Sequence, residues 1–107
     1  MGKISYKGLE ILGEIDRKLI ESICEAYFKK LGNKLNTDIS MGLLLKEYHL
    51  KTSNKEFSVE ATLNLGSGNI SADEIGWDLS KVVHRVFEKI INQVEHRFHL
   101  SDKHKAR

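Results

Sequence analysis

Residues 57–69 read Phe57-Ser58-Val59-Glu60-Ala61-Thr62-Leu63-Asn64-Leu65-Gly66-Ser67-Gly68-Asn69. Phe57, Val59, Ala61, Leu63 and Leu65 alternate with Ser58, Glu60, Thr62 and Asn64, the period of a strand with one face buried and the other wet. Gly66-Ser67-Gly68-Asn69 tolerate positive φ and predict a hairpin turn. Residues 70–75 return as a short strand. An antiparallel hairpin therefore sits mid-chain, and its flanks must cover the apolar face.

After the hairpin, Asp78 can cap a long helix. Leu79, Val82, Val83, Val86, Phe87, Ile90, Ile91, Val94 and Phe98 recur at the three-to-four spacing of one apolar stripe. Trp77, just before it, suits a hydrophobic anchor that fixes how the chain enters the helix, in preference to a base-stacking surface. Before the hairpin, residues 52–55 read as a turn. Residues 39–51, with adjacent Leu43, Leu44 and Leu45, read as a strand because the element is short and follows a turn, although 41–46 also fit a helix by periodicity.

Further upstream, Ile15, Leu19, Ile20, Ile23, Cys24, Tyr27, Phe28 and Leu31 form the stripe of another long helix. Glu14 and Asp16 in its first turn, and Lys29 and Lys30 in its last, complement the helix dipole. Gly32 is expected to end it in a left-handed cap, with a polar loop over 33–38. Residues 3–11 open the chain as a strand broken at Gly8. The expected fold is α+β in the order β-α-β-β-β-α, a four-stranded, mainly antiparallel sheet with two helices on one face, like a double-stranded-RNA-binding domain. Residues 1–100 make one domain, and the polar, basic residues 101–107 a frayed tail.

The chain has 107 residues, enough for one core without disulfides. It is 40% hydrophobic and 30% charged, ordinary for a globular domain, and has no proline, repeat or low-complexity segment. No apolar run approaches a membrane span, and MGKISYKGLE lacks the apolar centre of a signal peptide. The single cysteine, Cys24, cannot make an internal disulfide. A cytoplasmic protein with no membrane partner is expected.

Net charge is only +2, from 17 basic and 15 acidic residues, so an argument for nucleic acid rests on distribution. Opposite the apolar stripe of the second helix lie Lys81, His84, Arg85, Lys89, Asn92, Gln93, His96 and Arg97, diluted by Glu88 and Glu95. Lys81, Arg85 and Lys89 are four apart, and cations one turn apart can follow phosphates along a groove. The first helix adds Arg17, Lys18, Lys29, Lys30 and, just beyond, Lys34. The plainer reading is a solvated helix face, which must be polar anyway. His96, His99 and His104 lie close in sequence but lack a further fixed ligand, so no metal or other cofactor is expected. Cys24 falls on an apolar stripe and reads as a buried small hydrophobe. Gly66-x-Gly68 is followed by a strand and is not a phosphate loop. No residue set suggests an enzyme.

The order of elements, with Phe57-Ser58-Val59-Glu60-Ala61-Thr62-Leu63 before a glycine turn, resembles the ribosome hibernation-promoting factor and ribosome-associated inhibitor A family, also called sigma-54 modulation protein-like. That family's third strand reads like V-E-A-T-I. Asp78-Leu79-Ser80-Lys81-Val82-Val83-His84, then Lys89-Ile90 and Gln93-Val94, are similar to the family's D-M-Y-x-A-I-D-x-x-x-x-K-L-x-x-Q-L in register. Leu9-Glu10-Ile11 resembles its E-I-T-P opening, although Leu12-Gly13 stands where the family has Thr-Pro. Ser80 stands where the family usually has tyrosine, and His84 where it next has Asp or Asn. The likeness extends to Arg97 and is to the family's short form.

The resemblance implies a translation inhibitor that binds small-subunit ribosomal RNA across the decoding channel and protects idle ribosomes. It carries over one basic position, Lys89. The helix faces add Lys18, Lys30, Lys81, His84, Arg85, His96 and Arg97 as RNA-binding candidates. The alternative is a protein-interaction module of the same fold that binds through a sheet face or edge without RNA. Whether copies pair through the sheet is left open by the residues.

Overall fold

A computed structural model describes residues 2–49 and 55–98. Its order is β1 (Ile4–Lys7), a 3-10 turn (Leu9–Ile11), α1 (Glu14–Leu35), β2 (Ser40–His49), β3 (Lys55–Asn64), β4 (Asn69–Gly76) and α2 (Leu79–Phe98). The four strands lie in sequence order. β1 runs parallel to β2, while β2–β3 and β3–β4 are antiparallel. The expected α+β order and mainly antiparallel sheet are what the chain forms.

Registry explains the single core. Met41 pairs with Leu63, Leu43 with Ala61 and Leu45 with Val59, and across the next ladder Leu63 pairs with Ile70 and Ala61 with Ala72. Directly paired residues share a face, so the alternation read from residues 57–65 becomes a continuous apolar sheet face. α2 lies over β3 and β4 and beside α1. It buries Val82, Val83, Val86, Phe87, Ile90 and Val94 against that face. α1 contributes Ile20, Cys24 and Leu31. The opposite sheet face mixes polar Ser5, Glu60, Thr62 and Ser71 with Leu44 and the half-exposed Ile75.

Two boundaries differ from the sequence reading. The first strand stops at Lys7 because Gly8 takes φ 94° beside β2, where a Cβ would come within 2.0 Å of the Leu45 carbonyl oxygen. No L side chain fits that position. The first helix does not stop at Gly32. It runs on to Leu35, and Asn36 takes the left-handed cap at φ 53°, its N–H donating to the Gly32 carbonyl at 2.8 Å. Lys34, within 3.2 Å of Glu95 on α2, ties down that extra turn. Lys29 and Lys30 therefore lie before the last turn, whose basic residue is Lys34. Residues 39–51 are resolved as strand over Ser40–His49. The turn expected at 52–55 lies outside the described residues apart from Lys55, which belongs to β3.

The α1 stripe also needs correction. Ile15 is 84% and Leu19 49% exposed. Each step of four residues turns about 40° around a helix, so the row Ile23, Leu19, Ile15 leaves the core progressively. Trp77, read as an anchor, is instead 75% exposed. The chain's path into α2 is fixed by Asp78, whose Oδ1 accepts from the Lys81 N–H at 3.3 Å, and by Leu79, packed on the core.

Candidate nucleic-acid interface

α2 has the strongest amphipathic pattern in the chain, and burial of one face aims the opposite ridge at solvent. Lys81, Arg85, Asn92 and His96 lie within about 60° of one another around the helix and are exposed. Lys81 and Arg85 make no ion pair among the described residues. Glu88 shares this ridge.

The other α2 candidates have neighbours. Lys89 leans over the free edge of β4, its Nζ donating to the Asp73 carbonyl at 2.9 Å and lying 3.1 Å from Glu74 Oε2. Gln93 Nε2 donates to the Ser71 carbonyl at 3.0 Å. These two side chains occupy carbonyls that an edge strand otherwise leaves open for pairing. The hydrogen bond from Lys89 holds the Glu74 carboxyl below its ordinary range against a smaller effect of burial, with Lys89 and Arg85 charge adding to it. Arg97 points elsewhere: its Nη1 is the nearest heavy atom, at 3.9 Å, to a Cβ built on Gly68 in the β3–β4 turn.

Between the helices, a 2.8 Å hydrogen bond joins the Tyr27 hydroxyl and His84 Nδ1, and the Tyr27 ring stacks on Phe87 at 4.8 Å. Burial, then Glu88, pushes the Tyr27 hydroxyl pKa up. His84 is thus a contact between helices before it is a surface cation. Tyr27 meets His84 and Lys34 meets Glu95, so the helices run parallel. Lys30, three residues after Tyr27 and four before Lys34, lies exposed on the α1 rim of the groove between them. Lys18 lies about 120° around α1 from Lys30 and sits 3.4 Å from Glu14.

The eight candidates therefore separate. Lys81, Arg85 and His96 share one ridge, with Lys30 on the rim of α1. His84 and Lys89 are held by neighbours, and Lys18 and Arg97 face elsewhere. Burial, reinforced by Glu21 and Glu25, pushes the Cys24 thiol up to about 12, so it stays protonated. Among the described residues no three His, Cys, Asp or Glu side chains are grouped to hold a metal; His99 and His104 lie outside them. No described helix is long and apolar enough to cross a membrane. What sequence reasoning missed is the exposed Ile15, Leu19 and Trp77, since a helical stripe does not reveal where its far end leaves the core.

The class these features define is an α+β domain with a mixed four-stranded sheet, two parallel helices on one face and a cationic outer ridge on the second. Two solved structures share this fold. One is the N-terminal domain of Protein Y from Thermus thermophilus, 18% identical with a TM-score of 0.62, the match covering 88% of this chain and 93% of that one. The other is a ribosomal subunit interface protein from Coxiella burnetii, 17% identical with a TM-score of 0.50, covering all of both chains. At these identities the likeness is one of fold. No protein-family model matches the sequence, and no curated protein does.

Proposed function

We propose that this protein is a ribosome-docking factor of the hibernation-promoting type, a non-enzymatic cytoplasmic protein that occupies small-subunit ribosomal RNA at the decoding channel and so blocks translation. The observation that carries this reading is the outer ridge of α2, where Lys81 and Arg85 face solvent one turn apart and make no salt bridge among the described residues. The fold shared with a Protein Y domain and a ribosomal subunit interface protein supports the same direction. The binding unit is residues 1–100.

The mechanism is phosphate neutralisation on a preformed convex surface, reading shape in place of sequence. Lys81 and Arg85 contact successive phosphates, His96 extends the row, and Lys30 engages from the α1 rim. His84 and Lys89 set the ridge in place, while Lys18 and Arg97 add to the field from either side. Glu88 on the same ridge opposes the phosphates and weakens binding, while the cation–phosphate contacts make it salt-labile.

Purified protein mixed with ribosomes and sedimented through a sucrose cushion should travel with small subunits at low salt. It should be released as salt rises, and lost when Lys81 and Arg85 are both changed to Glu. Failure to co-sediment at low salt would overturn the reading.

A further inference from the structure

The ribosome reading makes no use of the pole where both helices begin. Asp16 and Leu19 of α1, Phe57 of β3, and Trp77, Asp78 and Leu79 leading into α2 line a cleft of about 310 Å3. Ile15 stands one turn before Leu19 on the same ridge of α1. Ile15, Leu19 and Trp77 are 84%, 49% and 75% exposed. With about 200 Å2 for each large side chain, they leave on the order of 400 Å2 of apolar surface in one patch. A patch of that size on a small domain marks an interaction site.

Charge separates this pole from the α2 ridge. Asp16 and Asp78 lie in the cleft wall, and no cation among the described residues lines it. A phosphate backbone is repelled there, so the patch fits protein. The patch also carries both halves of a contact. Ile15 protrudes beside the cleft, and Lys18, three residues on, flanks it on the helix surface. A two-fold axis would seat Ile15 of each copy between Leu19 and Trp77 of the other and bring each Lys18 toward the opposite Asp16 and Asp78. A protrusion and its receptor adjacent on one surface are what a self-complementary interface requires. The net charge of +2 opposes this pairing little.

We propose that this pole is where two copies of the chain associate, by mutual insertion of Ile15 into the Leu19–Trp77 cleft. The apolar area is about half of what each partner contributes to a standard interface, so the dimer is weak and forms as concentration rises. The site is distinct from the α2 ridge, and its association is measured first on the chain alone, so it stands or falls apart from the ribosome reading.

Trp77 is the only tryptophan in the chain and reports its own burial. Sedimentation equilibrium and tryptophan emission should be followed on the full chain from about 10 μM to about 1 mM, a range suited to weak dimers. The expected result is a mass rising toward the dimer with a parallel blue shift of emission. Ile15→Glu should weaken association about tenfold or more, because the interface would have to bury an unpaired charge. Leu19→Ser should act in the same direction, and Ile15→Glu, changed at an exposed position, should melt at the wild-type temperature. Monomer mass across the range, or an Ile15→Glu protein that dimerises like wild type, would overturn the proposal. So would a monomer whose Trp77 emission shifts only when ribosomes are added, which would assign the pole to them.

Discussion

Lys89 shows how a residue that looks like a binding cation can be employed in the fold. On the sequence it completes a row with Lys81 and Arg85, yet two four-residue steps turn it about 80° from Lys81. That rotation brings its ammonium onto the β4 edge, at Asp73 and Glu74. Lys89→Met should therefore cost about 1 kcal/mol in urea unfolding while ribosome binding falls less than for Lys81→Met. The pH response has a definite sign. The Glu74 carboxyl titrates below its ordinary value of 4.5 when folded, so its contribution is complete above that value and is lost as pH falls through the lower folded-state range. Wild type should lose part of its margin over Lys89→Met below about pH 4.5, measured as the gap between their melting temperatures. Cys24 makes a second case. Its thiol is fully buried and pushed up to about 12, so a thiol reagent at neutral pH should label it only at the rate of unfolding, and rapid labelling of native protein would contradict that burial.

The helices and strands were legible where one periodicity acted alone. The alternation from Phe57 to Leu63 and the stripe from Val82 to Val94 each matched a single buried face, and both elements form as read. Legibility failed where a second element intervened. Gly32 reads as a helix stop, but Leu35 packs on the core and Lys34 meets Glu95, so the helix continues. Ile15 and Leu19 read as core because periodicity marks a stripe without saying how far its cover extends. At the candidate site, the outward ridge of α2 was readable from the apolar stripe opposite it. The pairing of Lys89 with β4 and of His84 with Tyr27 was not, because contacts across 16 and 57 residues leave no local signal. The end of α1 provides a test at this scale. Asn36 holds φ 53°, which glycine adopts freely and alanine does not. Asn36→Gly should be close to neutral and Asn36→Ala should cost about 1 kcal/mol, read from chemical denaturation; equal stabilities would remove the left-handed cap as the reason the helix ends there.

Across the whole molecule, the cationic ridge and the apolar pole are separate surfaces, and salt should act on their proposed contacts in opposite directions. The α2 ridge carries exposed Lys81, Arg85 and His96, and in the proposed function their attraction to phosphates depends on displacing counterions. The pole at the helix starts carries Ile15, Leu19 and Trp77, whose burial depends on excluding water. Raising potassium chloride should weaken ribosome binding along a straight line in log–log form, and removing either Lys81 or Arg85 should lower the slope by about one. Ammonium sulfate should strengthen self-association over the same range, because an excluded salt favours apolar burial. The variants should separate the surfaces: Lys81→Glu alters the first response and leaves the concentration dependence of Trp77 emission intact, while Ile15→Glu does the reverse. If one substitution moved both responses together, the two sites would be coupled, and a dimer would then either present the two α2 ridges to RNA jointly or hide them from it. The sign of that coupling follows from the same titration: ribosome binding that tightens as the chain is concentrated means that the paired ridges act together, and binding that weakens means that pairing covers them.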